Sequence, residues 1–270
     1  LYIALESAAR AGRQDRVLAL AEAWLTAPEP SLAPEVWLRA AVAAASLGQD
    51  RKAQDFLRHL AVDFPASRSA AAGNGLARRL LAQSAGAGGF DPDAPDTVLL
   101  RAEALTEKGG AESALALLPE VAPPGWTPGQ AARAAYVRGK ALFRLRKPKA
   151  ASEAFERAVA ADPAAVLAGW ARYHQARCLW RSLDAEDSDR AAALLREVLA
   201  APLRDDPLRE VSARHLALIL AERGKFAEAL AAAGQLKGLA VPPEAAAQGA
   251  ALAAALRYVT GDLAGAEAEL

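Results

Sequence analysis

"RGKALFRLRKPKAASEAFERAVAADP" runs from Arg138 to Pro163. Small residues stand at Gly139, Ala151 and Ala158, and long or charged ones fill most places between. Arg146-Lys147-Pro148 interrupts the run and Pro163 ends it. The pattern reads as two helices joined by a short turn. Helices joined so tightly approach closely only where the contact residues are small. Gly139, Ala151 and Ala158 are therefore expected where the helices touch, with the charged residues in water. Proline lacks an N–H and clashes with the turn before it, so Pro163 stops the second helix.

The same device recurs along the chain. Gly48 is followed five places on by Ala53, Gly109 by Ala114, Gly224 by Ala229 and Gly261 by Ala266, and Gly12 is followed by Val17. A helix often ends on a residue at positive φ, which glycine adopts at least cost. In the opening stretch Arg146 takes the place of that glycine, five residues before Ala151.

These residues resemble the tetratricopeptide repeat, a helix-turn-helix unit of about 34 residues. Ala151, Phe155, Ala158 and Pro163 match the second helix of that family, and Gly139 and Leu142 match the first, with Arg138 where leucine is usual. Trp37, Ala41, Gly48, Ala53 and Pro65 form a second copy. Leu216, Ala217, Leu220, Gly224, Phe226 and Ala229 form a third. The expected fold is all-α, a TPR-like right-handed α-solenoid of about fifteen antiparallel helices. Ala66–Gln83 reads as a single helix without an obvious partner. The breaks are "SAGAGGFDPDAPD" (Ser84–Asp96), "PEVAPPGWTPG" (Pro119–Gly129) and "SLDAEDSD" (Ser182–Asp189). The expected division is N-terminal repeats over residues 1–83, a flexible seam over 84–96, and repeats over 97–270 that continue the same solenoid.

Composition agrees with packed helices. The chain of 270 residues is 53% hydrophobic but only 6% aromatic, and alanine, the best helix former, supplies much of the difference. Acidic and basic residues balance at 32 each, which leaves no global basic footprint for nucleic acid. No apolar run approaches the roughly 20 residues of a membrane span. There is no methionine, and both ends fall in helix-like sequence, so a fragment or processed product is expected.

Reaction chemistry is not evident. HExxH, CxxC, Walker A and G-x-S-x-G patterns do not occur. "GAGG" (Gly86–Gly89) lacks the lysine of a phosphate loop and reads as linker. His174 and Cys178, four apart, could offer two zinc ligands, but no second pair is near. Packing is expected of them, with no metal and no cofactor. The acidic turn Asp184, Glu186, Asp187, Asp189 lacks the glycine and terminal glutamate of a calcium loop, and Leu195 stands in the glutamate's place. Helix capping by Asp187, Ser188 or Asp189 is expected there instead.

The resemblance places a concave surface on the first helix of each repeat. Mapped onto that helix, the second half of the chain offers Tyr136, Lys140 and Arg144, then Trp170, Tyr173, Arg177, Trp180 and Arg181, then Arg214. Guanidinium and ammonium groups fix carboxylates, and aromatic faces stack on peptide or sugar, so this basic aromatic stripe is the candidate ligand groove. The competing reading is aromatic core filler under a solvated charged face.

A closer resemblance is to the helical superhelix of bacterial soluble lytic transglycosylases. It is carried by "AVDFPASRSAAAGNGLARRLLAQ" (61–83), "YVRGKALFRLRKPKAASEAFERA" (136–158), and "WARYHQARCLW" (170–180) leading to "LRDDPLREVSARHLALILAERGKFAEAL" (203–230). That resemblance implies an accessory arm in the periplasm or cell envelope, in contact with a peptidoglycan glycan strand. The family's catalytic Glu-Ser and Gly-Leu-Met-Gln are not matched: Glu6-Ser7 has no such partner, and Gly75-Leu76 continues as Ala77-Arg78. Glu6 is assigned no catalytic role, and no enzyme activity is expected of the chain. The alternative is an adaptor, cytoplasmic or otherwise, that binds a peptide or protein partner through its concave face.

Overall fold

The computed structural model describes residues 1–26, 32–83, 89–182, 184–202 and 205–269, and among these it contains fifteen α-helices and no strand. Leu1–Pro119 packs as one unit and Glu120–Leu270 as another. The first unit holds α1 (Tyr2–Arg10), α2 (Gln14–Leu25), α3 (Ala33–Ser46), α4 (Asp50–Asp63), α5 (Arg68–Gln83), α6 (Pro95–Glu107) and α7 (Ala111–Leu117). The second holds α8 (Pro128–Arg144), α9 (Pro148–Ala161), α10 (Val166–Trp180), α11 (Ala185–Ala200), α12 (Asp206–Glu222), α13 (Phe226–Gly234), α14 (Pro243–Val259) and α15 (Leu263–Glu269).

The recurring turn is the unit of construction. Gly12, Gly48, Gly109, Gly224 and Gly261 all sit at positive φ, between +69° and +88°, and Arg146 takes φ +57° in the same place. At each turn the next residue's N–H bonds back five residues: Arg13 to Ala8, Gln49 to Ala44, Gly110 to Leu105, Lys147 to Leu142, Lys225 to Leu220 and Asp262 to Arg257. This is the six-to-one hydrogen bond that closes a helix on a left-handed residue and satisfies an orphan carbonyl. The small residue five places on is then turned inward. Ala53, Ala114, Ala151 and Ala229 are fully buried, and Val17 and Ala266 nearly so.

Helices pack as hairpins, and first helices of neighbouring hairpins also touch: α3 meets α5, and α8, α10, α12 and α14 meet in sequence. Gly139 of α8 shows why size matters. A methyl group there would lie 2.7 Å from the Phe155 ring of α9, inside any tolerable contact. Gly73 does the same work in the first unit, where a methyl would lie 2.9 Å from the Leu60 side chain. α5, left unpartnered by the sequence reading, packs on both α4 and α3.

Two breaks behave differently from one another. The units divide at the Pro119–Gly129 break, where Thr127 opens α8 with a capping box that it shares with Gln130. Of the seam expected at 84–96, residues 84–88 lie outside the described residues. Beyond them Phe90 is buried in the first unit's core, and Asp93 takes two hydrogen bonds from Arg78 at 2.6 and 2.7 Å.

The expected cap of α11 is corrected. Asp184, not Asp187, Ser188 or Asp189, accepts from the N–H groups of Glu186 and Asp187, at 2.8 and 3.3 Å. A cap must lie outside the helix with extended backbone so that its carboxylate can reach back. Asp184 does so at φ −81°, ψ 140°, whereas the other three are already helical.

Candidate binding face

The candidate residues lie on α8, α10 and α12 of the second unit, and their rings form a seam across the three helices. Tyr136 of α8 meets the His174 ring of α10 at 5.7 Å, and Phe155 stacks on His174 from below at 5.3 Å. Tyr173 contacts His174 at 5.1 Å, Trp170 edge-on at 5.9 Å, and His215 of α12 edge-on at 5.3 Å. Trp180 meets His215 edge-on at 5.5 Å. Edge-to-face contacts of this kind add to burial because a ring's positive edge meets a negative face.

Cations lie along one side of the seam. Lys140 sits 5.9 Å from the Tyr136 ring. Arg177 lies 5.1 Å from the centre of the Phe143 ring and 5.6 Å from that of Tyr173, and Arg181 lies 5.4 Å from the same Phe143 ring. Two guanidinium groups therefore share one aromatic ring. Arg144 is exposed at the end of α8. Among the described residues, none of Lys140, Arg144, Arg177 and Arg181 is ion-paired to a carboxylate.

Other members of the predicted stripe are already committed. Tyr173 is only 4% exposed, and burial raises its hydroxyl pKa against the pull of Arg177. Arg214 bonds to the buried Glu210 at 2.8 Å, so its charge is largely cancelled within α12. The indole N–H of Trp170 donates to Asp205 at 2.9 Å, and that of Trp180 to Glu222 at 2.7 Å. The stripe thus divides into a packed aromatic wall and a free cationic rim.

Sequence reasoning missed Phe143, His174 and His215 as parts of this face. It selected charged and aromatic residues by their place on first helices and read His174 as packing only, whereas these three rings join the stripe by touching its members, Tyr136, Trp180 and Arg177. Both histidines are held neutral. Burial, with the nearby positive charges of Arg177 and Lys140, lowers the His174 pKa to about 3. Burial also lowers that of His215, whose Nδ1 donates to the Val211 carbonyl at 2.7 Å. A carbonyl only accepts, so Nδ1 carries the proton. Cys178 is buried, and its thiol is pushed up to about 12, unsuited to metal binding. Among the described residues no three metal-ligating side chains converge, and no helix is long and apolar enough to cross a membrane.

No family model and no curated protein matches the chain. Solved structures do. BtubC from P. vanneervenii is 16% identical over 75% of this chain and 85% of its own, with a TM-score of 0.55. Pseudomonas aeruginosa pilF is 13% identical over 88% and 89%, with a TM-score of 0.52. A Podosopora anserina protein of nearly identical TPR-like repeats is 17% identical over 66% and 92%, with a TM-score of 0.50. At these identities the likeness is one of architecture, and the chain has the fold of a TPR-like helical-repeat protein.

Proposed function

We propose that the chain is a non-catalytic helical-repeat binding domain whose second unit holds a carboxylate-bearing segment of a peptide or protein partner. One observation carries the reading: Arg177 and Arg181 converge on the Phe143 ring, and among the described residues no carboxylate pairs with them. Ring stacking holds a guanidinium's orientation while leaving its edge N–H groups free for a carboxylate. Lys140 and Arg144 enlarge the same positive rim, and the aromatic wall beside it offers apolar area to the partner's side chains. Titration with a blocked peptide of three consecutive glutamates tests this. Arg177→Ala with Arg181→Ala should weaken binding at least about tenfold, ~1.4 kcal/mol, and leave the melting temperature unchanged. Unchanged affinity would remove the reading.

A second reading keeps the resemblance to the superhelical arm of lytic transglycosylases, and with it an envelope location and a glycan strand as partner. The half-buried indoles of Trp170 and Trp180, fixed by Asp205 and Glu222, favour it, since such rings stack on sugars. The comparisons lend it no support. Purified glycan strands that bind wild type but not Trp180→Ala would favour this reading over the first.

A further inference from the structure

We propose that the first unit carries a separate cleft that takes a basic side chain, lysine or arginine, of a peptide or protein partner. It does not rest on the reading of the second unit.

The cleft lies between α1, α2, α3 and α5 and encloses about 320 Å³, at the small end of ligand pockets. Its walls are apolar at Val17, Leu38 and Val42, and Val42 is 43% exposed. Three polar side chains open into it: Gln14, Glu35 and Ser69. Among the described residues none of the three side chains has a hydrogen-bond or ionic partner. Ser69 is only 6% exposed, and its unpaired hydroxyl keeps contact with solvent. A polar group that lines a cleft without a partner in the protein is free to take one from a ligand.

Charge selects the occupant. Arg39 also lines the cleft, but its guanidinium is held by Glu6 at 2.8 and 2.9 Å. With that pair cancelled, the charge that remains is the Glu35 carboxylate. An acidic ligand would meet repulsion, and a neutral one would leave the charge unmatched. A lysine or arginine satisfies both halves of the site. Its aliphatic stem lies along Val17, Leu38 and Val42, and its head reaches Glu35, with the Gln14 carbonyl and Ser69 hydroxyl as further acceptors.

The test is a nuclear magnetic resonance titration of the whole chain with three blocked peptides, Gly-Ala-X-Ala-Gly, where X is Lys, Arg or Glu. The Lys and Arg peptides should shift the amide signals of Gln14, Leu38, Val42 and Ser69 saturably, and the Glu peptide should not. Glu35→Gln, a change at an exposed position that leaves the fold intact by circular dichroism, should weaken the basic peptides about tenfold or more. Arg177→Ala with Arg181→Ala should leave them unaffected, which separates this cleft from the rim on α8 and α10. The proposal is overturned if neither basic peptide perturbs those signals, if the Glu peptide binds equally, or if Glu35→Gln keeps full affinity. Butylamine binding as tightly as the peptides would also overturn it, by assigning the cleft to small free amines.

Discussion

Five of the six buried places on α3, in the first unit, are alanine: Ala33, Ala40, Ala41, Ala43 and Ala44. The counterpart α10, in the second unit, buries Tyr173, Gln175, Cys178 and Leu179 and brings Trp170, His174 and Trp180 to its half-open side. Both helices open a hairpin and both pack on a neighbouring first helix. The turn rule alone therefore sets the architecture, and what fills the first helix is free to vary. Where it is alanine, the buried side of the helix only sets spacing. Where it is aromatic, the same backbone presents a surface with chemistry.

The sharpest way to break that comparison is to remove the large side chain from each glycine contact. Phe155→Ala should cost about 3–5 kcal/mol and Leu60→Ala about 2–5 kcal/mol. Each should unfold its own unit first, as read by urea titration with hydrogen exchange. Loss of protection in both units from either variant would mean that the division at Pro119 is not a division in stability.

Acid should separate the units next. The folded second unit holds His174 unprotonated down to about pH 3, whereas the unfolded chain takes up that proton near the ordinary 6.5. Stability should therefore be flat above pH 6.5 and fall as pH drops below it, by up to about 1.4 kcal/mol per pH unit. His215, shifted the same way, adds to the slope. His174→Phe should flatten most of it. His174 and His215 both lie in the second unit, so this contribution should be confined to it. Equal acid sensitivity in both units would contradict the buried ring seam.

The smallest effects concern the turn itself. Gly48→Ala, forced to φ +71°, should cost about 1–2 kcal/mol. Arg146→Gly should do the reverse and stabilise the second unit by about 0.5–1 kcal/mol in thermal melts, since Arg146 already bears that strain at φ +57°.

The turns were legible because their cause is local. Positive φ calls for glycine, and a six-residue hydrogen-bonded closure fixes where the next small residue must point. Even Arg146 could be read, from Ala151 five places on. Gly139 was legible because nothing larger fits against Phe155. The candidate face was only half legible. Lys140 and Arg177 announce themselves by charge, but whether Arg214 is free depends on Glu210, one helical turn before it on the same helix. His174 and His215 gain their role from rings brought in by three different helices, a relation that no spacing within one helix records. The unit 1 cleft was not legible at all, because Glu6 and Arg39 are 33 residues apart in sequence.

Six turns of one kind also have a mechanical consequence. Helices of the second unit touch those of their own and the neighbouring hairpins, and the last of them, α15, buries only Ala266. A pull on that end meets one interface at a time. The second unit should lengthen in discrete steps, hairpin after hairpin, and shorten again in the reverse order when released, in the manner of a stepped spring.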